Sequence, residues 1–311
     1  MDPAMTVDKA LAADPERTVC AVVVTWQPVL DDLLTLLDQL AAQACDVVVV
    51  DNGSANAAEL ANATAQRSSV TLVRWPDNRG LAAAMNAGLQ LAQDNGYARV
   101  FLFDQDSTLT DGFCAGMQGA WQRAEKVSAR PVAAVGPRLQ DPASGRRTPF
   151  RLFRLRHRSD QPAPDAPDLY QADFLISSGC LLSLTALDRI GLMKESYFID
   201  NIDLEWCFRA RAQGFALFGT DAAVLLHAIG EPSANPLVRA GWMVQHSPLR
   251  SYYSTRNRLH LYRQDYAPLN WKLRDSVRFV LKSGWLLLCS AQRREYWRQI
   301  RRGMQDAGTL T

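Results

Sequence analysis

The sequence predicts an α/β fold: a mostly parallel central sheet flanked by helices. Two observations carry this. Short β-branched apolar runs alternate with longer segments of helical periodicity, and the runs end in polar clusters rich in Asp and Asn. Cys20-Ala-Val-Val-Val-Thr25 has the continuous apolar character of a parallel strand buried on both faces. Asp31 to Ala44 carries leucines at 33, 34, 36, 37 and 40, a helical spacing. Asp46 to Val50 is a second strand and ends in the turn cluster Asp51-Asn52-Gly53-Ser54. Val70 to Arg74 is a third strand, Gly80 to Gln93 an alanine-rich helix, and Val100 to Phe103 a fourth strand running into Asp104-Gln105-Asp106. This alternation describes right-handed βαβ units.

The texture changes near position 140. Gly145 to Arg158 holds Arg146, Arg147, Arg151, Arg154, Arg156 and Arg158, and Pro162, Pro164 and Pro167 follow. No helix tolerates those prolines, so the segment is expected to be an exposed, mobile excursion. Ordered structure is expected again at Asp173 to Leu184, then a helix from about Leu204 to Gln213 and a strand at Phe215 to Leu226. From Leu249 the chain reads as helical, with Val277, Val280, Leu281, Gly284 and Leu288 on one face and Arg274, Arg278 and Lys282 on another.

Composition bounds the function. The chain has 311 residues, 48% of them hydrophobic and 21% charged, which is ordinary globular usage. A formal charge of +2 lacks the basic excess of a dedicated nucleic-acid binder. The six cysteines (Cys20, Cys45, Cys114, Cys180, Cys207, Cys289) form no CxxC pair, so they read as small buried hydrophobes of a cytosolic protein. Met1-Asp2-Pro3-Ala4 reads as a cloning scar ahead of a native start at Met5. The longest apolar stretch of the tail, Ser283 to Ala291, is about half of the roughly 20 residues that a membrane span requires. Charge is unevenly placed. Between Ala267 and Arg302 nine Lys/Arg face Asp275 and Glu295, a net +7 that leaves −5 for the rest of the chain and suggests an anionic surface as partner.

Ligands of open α/β sheets bind at the carboxyl ends of the strands. Four polar clusters fall there: Thr25-Trp26, Asp51-Asn52, Asp77-Asn78-Arg79-Gly80 and Asp104-Gln105-Asp106. Any one of them alone is an ordinary turn or helix cap; together they are a site. Alternate carboxylates after a strand suit a hard divalent cation and a ribose hydroxyl, because such a cation takes oxygen ligands and bridges phosphates. Neither GxGxxG nor GxxxxGK[ST] occurs, so a nucleotide here is gripped through metal, ribose and base. A second acidic cluster, Phe198-Ile199-Asp200-Asn201-Ile202-Asp203-Leu204-Glu205-Trp206-Cys207-Phe208-Arg209, puts Asp203 near a helix start, where a carboxylate serves either as a cap or as a general base.

These residues resemble the inverting family 2 glycosyltransferases, which have the GT-A fold, over about Thr18 to His260. Val23-Val24-Thr25-Trp26-Gln27-Pro28 is similar to the family's first strand and loop, and Val49-Val50-Asp51-Asn52-Gly53-Ser54 to its pyrimidine-binding turn. Asn78-Arg79-Gly80 with Asn86 and Gly88 resembles its NxG helix, and Phe103-Asp104-Gln105-Asp106-Ser107 its DxD site. Within the family, Phe-Asp-Gln-Asp-Ser and Phe-Ile-Asp-x-x-Asp-x-Glu-Trp-Cys-x-Arg look most like the rhamnosyltransferases of O-antigen and related polysaccharides.

The resemblance implies a site residue by residue. Thr25, Trp26, Asp51, Asn52, Asn78, Arg79 and Gly80 would bind the nucleotide. Asp104 and Gln105 would contact ribose or metal, Asp106 would ligate Mg²⁺ or Mn²⁺, and His227 falls at a further metal-ligand position. Asp203 stands where the family has its catalytic base, but Ile202 replaces the commoner preceding acid, so Asp200 or Glu205 is left as the supporting carboxylate. Arg256, with Asn257, resembles a motif near the diphosphate or acceptor. The implied organisation is a tail over 1–17, a catalytic GT-A domain over 18–248 (a nucleotide-sugar half over 18–110, an acceptor half over 111–248) and a basic amphipathic helical region over 249–311. The implied reaction moves L-rhamnose from dTDP-β-L-rhamnose to a hydroxyl of a cell-surface or lipid-linked glycan, in the cytoplasm, with the basic tail docked on the anionic inner face of the membrane. Three other readings compete: another sugar from a UDP donor, a sugar-1-phosphate nucleotidyltransferase, for which the Gly-rich N-terminal loop is missing, and a catalytically silent scaffold of a polysaccharide assembly complex.

Overall fold

In the computed structural model, residues 5–8, 18–154, 158–226 and 247–310 are described. The strands among the described residues are β1 (Thr6–Val7), β2 (Val19–Thr25), β3 (Asp46–Asn52), β4 (Val70–Trp75), β5 (Arg99–Asp104), β6 (Thr108–Leu109), β7 (Val132–Gln140), β8 (Arg151–Leu152), β9 (Arg158–Ser159), β10 (Pro162–Ala163), β11 (Ala166–Gln171), β12 (Leu181–Ser183) and β13 (Ala216–Leu226). The helices are α1 (Leu30–Ala42), α2 (Ala57–Thr64), α3 (Leu81–Asp94), α4 (Phe113–Val127), α5 (Leu184–Ile190), α6 (Ile202–Ala212), α7 (Pro248–Arg263), α8 (Leu269–Cys289) and α9 (Arg293–Asp306).

Among the described residues the main sheet has eleven strands in the order β1-β4-β3-β2-β5-β12-β7-β13-β11-β10, with β6 paired to β13. β4, β3, β2 and β5 run parallel, as their continuous apolar runs require, and so do β7 and β13. β12 is inserted antiparallel between β5 and β7. The residues of β2 and β3 are all buried, and one hydrophobic cluster lies on each face of the sheet. The register sets Thr25 beside Asp51 and Val24 beside Asp104, which lines up the polar ends of β2, β3 and β5 on one edge.

Two expectations need correction. Thr6–Val7, inside the segment read as a tail, adds an edge strand to β4, and Asp8 pairs with Arg74 at 2.8 Å. The Arg-rich excursion returns to the body from Phe150 onward. Phe150 and Leu152 are buried, β8 pairs with β9, and the proline segment forms the antiparallel β10–β11 edge of the sheet. Apolar anchors between the arginines do this. Phe150 stacks on Tyr170, and Phe153 meets the edge of Phe208. Arg138, on β7, closes the corner by pairing with Asp160 at 2.7 Å and Asp221 at 2.6 Å.

The C-terminal region is helical as expected, but its apolar stripe does not enter the core. α8 docks through Asp275, which takes Arg258 and Tyr262 at 2.6 Å each, and through buried Trp271 and Leu286. Leu273, Val277, Val280, Leu281 and Leu288 stay exposed, Leu288 by 81%.

Candidate active site

The polar tips of β2, β3 and β4, expected to bind the nucleotide, form a set of interlocked turns. Asp51 is fully buried at the tip of β3, and its carboxylate accepts hydrogen bonds from the Thr25 hydroxyl at 3.2 Å and from the Ser54 N–H and hydroxyl. Asp51, expected to bind the nucleotide base, shapes the floor of the turn through these bonds. Asn52 ties the next turn in place: its amide donates to the Asn78 side chain at 3.1 Å, and its oxygen accepts the Arg79 N–H at 2.8 Å. Asn78 in turn accepts the Gly80 N–H at 2.9 Å. The two turns touch at Gly53, where a Cβ would stand 2.5 Å from the Asp77 carbonyl carbon; only glycine fits. The Arg79 guanidinium lies 5.0 Å above the Trp75 ring. Trp26 is largely exposed, and its N–H donates to the Gln105 side chain at 2.8 Å, which joins the first loop to the acidic turn.

Asp104 ends β5 and is half-buried, whereas Asp106, two residues on, is exposed. Among the described residues no side-chain hydrogen bond or ion pair engages Asp106, and the buried Ser107 hydroxyl beside it lacks a partner. Two carboxylates are too few to cage a metal, and no group of three potential ligands occurs among the described residues. That donor set fits Mg²⁺ or Mn²⁺ of the kind that keeps positions open for water and phosphate oxygens. His227 lies outside the described residues.

The second acidic cluster meets the first through two adjacent serines. The Ser178 hydroxyl donates to Asp104, while the Ser177 N–H donates to Asp203 at 3.1 Å and its hydroxyl approaches the same oxygen at 3.4 Å. Removal from water pushes the Asp203 carboxyl up to about 6, the nearby Asp104 charge adds to this, and the Ser177 N–H opposes it. The sequence reading did not single out these serines. The signal was present in Ser177-Ser178-Gly179, since Gly179 takes φ +76 where a Cβ would stand 2.8 Å from Pro137.

Asp200 and Glu205 do not join this pair. Asp200 is bound by Arg250 of α7 at 3.0 Å. Glu205 is buried, holds Arg209 through two hydrogen bonds of 2.9 Å and accepts the Tyr266 hydroxyl at 2.8 Å. Arg256 is also turned to another use: its guanidinium donates to the carbonyls of Ser196 and Tyr197 and lies over the rings of Tyr252 and Tyr253.

A parallel sheet with an acidic turn at the tip of its central strand, continued by an inserted antiparallel strand and a helical C-terminal part, is the GT-A architecture. Solved structures agree on the fold. Staphylococcus aureus TarS 1–349 in complex with UDP-GlcNAc superposes with a TM-score of 0.60 at 14% identity, over 93% of this chain and 81% of that one. GalNAc-T7 with UDP, GalNAc and Mn²⁺ superposes with 0.59 at 12% identity, over 95% of this chain and 57% of that one, and the chain spans half of a longer TarS structure. The chain belongs to glycosyl transferase family 2, whose profile matches residues 20–191, and it is a glycosyltransferase. A protein of Shigella flexneri described as dTDP-rhamnosyl transferase RfbF is 28% identical over 284 residues, 90% of this chain and 92% of that protein. Among the described residues no helix is long and apolar enough to cross a membrane.

Proposed function

We propose that this glycosyltransferase moves L-rhamnose from dTDP-β-L-rhamnose to a hydroxyl of a lipid-linked cell-surface polysaccharide, with inversion and with Asp203 as general base. The observation that carries the mechanism is the Ser177–Ser178 bridge, which sets a carboxyl with a pKa of about 6 beside Asp104. A base with a pKa just below neutrality is ionised in use yet still takes a proton effectively. Asp203 accepts the proton of the attacking hydroxyl as its oxygen bonds to the anomeric carbon. The bond from that carbon to the nucleotide diphosphate breaks, and one displacement turns a β-donor into an α-rhamnoside. Asp104 and Asp106 would hold Mg²⁺ or Mn²⁺, which when bound offsets the charge gathering on the leaving diphosphate. The turns of Thr25, Trp26, Asp51, Asn52, Asn78, Arg79 and Gly80, with Gln105 closing the loop, form the nucleotide pocket, and Asp51 organises its floor.

The sugar is supported by the relative described as a dTDP-rhamnosyl transferase. In this reading 18–248 is the catalytic domain and 249–311 docks peripherally on the cytoplasmic face of an anionic membrane. The exposed apolar ridge of α8 beside Arg274 and Arg278 supports that docking. Calorimetry of dTDP-β-L-rhamnose against UDP-glucose and UDP-galactose, in Mn²⁺ and then in EDTA, tests the donor. Metal-dependent preference for the rhamnose donor, lost in Asp106→Ala, is expected. Binding of a UDP donor instead overturns the sugar and keeps the mechanism, whereas no binding and no nucleotide release would turn the reading to a silent scaffold.

A further inference from the structure

We propose that Asn257, on α7, is a positioning residue for catalysis: it clamps the left-handed loop 198–201 and thereby sets where the Asp203 carboxylate stands. The proposal rests on Asp203 being the base.

The loop between the 3-10 turn Glu195–Tyr197 and α6 has a conformation that its own residues disfavour. Phe198, Asp200 and Asn201 have φ of 62°, 68° and 61°, a region that residues with a Cβ avoid, Phe far more than Asp and Asn. At Phe198 the chain makes a tight γ-turn, with the Ile199 N–H donating to the Tyr197 carbonyl at 2.6 Å, and this positive-φ form is rare and strained. No glycine relieves it. Such a conformation persists only where the surroundings impose it, and it concentrates at functional sites.

The constraint comes from α7. Asn257 is fully buried, and its side-chain NH₂ lies 2.8 Å from the Tyr197 carbonyl oxygen, 2.8 Å from that of Ile199 and 2.9 Å from that of Asp200. The Asn257 oxygen accepts the Arg256 Nε–H at 3.1 Å, which aims the Arg256 guanidinium at the carbonyls of Ser196 and Tyr197. Arg250 binds the Asp200 carboxylate, and Tyr253 stacks on Phe198 with ring centres 4.9 Å apart. On the other side, the Phe198 carbonyl accepts the Leu81 N–H at 2.6 Å, at the start of α3. The loop is therefore held between the helix that follows the nucleotide turn and α7.

Asp203 follows Asn201 by two residues, in the first turn of α6. Relaxation of the loop therefore reorients that turn and shifts its carboxylate relative to Ser177 and Asp104. Among the described residues Asn257 makes no hydrogen bond to β5 or to the turns at 51–54 and 77–80, so its loss is expected to act on turnover ahead of donor affinity. A displacement of about 1 Å at a reacting group can cost about 10²-fold in rate.

The test uses full-length wild type, Asn257→Ala, Asn257→Ala with Asn201→Gly, and Asp203→Asn. For each, nucleotide release from dTDP-β-L-rhamnose (UDP-glucose if that is the donor bound) gives kcat, and calorimetry in Mn²⁺ gives donor Kd. The expected result is a fall in kcat of about 10²-fold for Asn257→Ala with donor Kd unchanged. Adding Asn201→Gly should recover part of kcat, because glycine takes the left-handed conformation without a clamp. If Asn257→Ala does not fold, Arg256→Gln takes its place, with the same split and a smaller loss. Wild-type kcat in Asn257→Ala beside an inactive Asp203→Asn overturns the clamp and leaves the base. Equal losses in kcat and donor affinity overturn it too, by showing a merely structural role. Full turnover in Asp203→Asn overturns the base reading, and the clamp with it.

Discussion

The two acidic clusters contain the same kind of residue and differ in what surrounds it. At 104–106, among the described residues, the carboxylates meet only the Ser178 hydroxyl and no cationic side chain. At 200–205, Arg250 holds Asp200 and Arg209 holds Glu205, and Asp203 alone is left with amide and hydroxyl donors. An arginine partner commits a carboxylate to structure. A carboxylate held by neutral donors keeps its charge available to a cation or a proton, and burial without a counter-charge raises its affinity for that proton.

The sharpest way to break this comparison is Asp203→Asn. Nucleotide release should fall by about 10²–10⁴-fold while donor binding survives, as steady-state kinetics beside calorimetry will show. Glu205→Gln sets the arginine-bound carboxylate against it. Breaking a buried pair of this kind destabilises by about 3–5 kcal/mol, measurable by urea unfolding, while turnover per folded molecule stays at the wild-type level. Loss of turnover in folded Glu205→Gln would reassign the base. Asp106→Ala should bring donor affinity in Mn²⁺ down to its value in EDTA and leave stability unchanged, because the side chain is exposed and engages no described partner.

Local chemistry was legible in the sequence, and distant partners were not. The β-branched runs before Thr25 and Asp51 marked buried parallel strands, and their polar tips marked turns that the sheet lines up on one edge, because strand and turn signals are local. The 111–140 stretch forms α4 and β7, to which the sequence reading gave no element, although Phe113, Met117, Ala120, Trp121 and Ala124 fall on one buried face of α4. The hairpin edge over 151–171 was hidden because its arginines outnumber Phe150, Leu152 and Phe153, the residues that fasten it. Asp200, Asp203 and Glu205 could not be ranked, since the deciding groups lie far along the chain: Ser177 is 26 residues away from Asp203, Arg250 is 50 from Asp200, and Tyr266 is 61 from Glu205. The stripe on α8 was read correctly as apolar, but only the structure shows that the core does not cover it.

The smallest effect expected is one of stability, and its sign follows from the neutral surroundings of Asp203. Its folded-state pKa of about 6 exceeds the roughly 3.9 of an unfolded aspartate. Below about pH 4 the group is protonated in both states and makes no difference to folding. Between about 4 and 6 the unfolded chain loses the proton while the folded one keeps it, so the folded state is progressively disfavoured as pH rises, and above 6 the loss is complete. Asparagine at 203 never ionises and still accepts the Ser177 N–H. In metal-free protein, Asp203→Asn should therefore raise Tm at pH 7.5, and the gain should shrink as pH falls and vanish near pH 4. Asp200→Asn, which removes the carboxylate from Arg250, should lower Tm at pH 7.5 instead. Thermal melts of both variants across that range divide the acids of one loop by the sign of the change. A gain in Asp200→Asn, or none in Asp203→Asn, would mean that the arginine partner does not decide which carboxylate does chemistry.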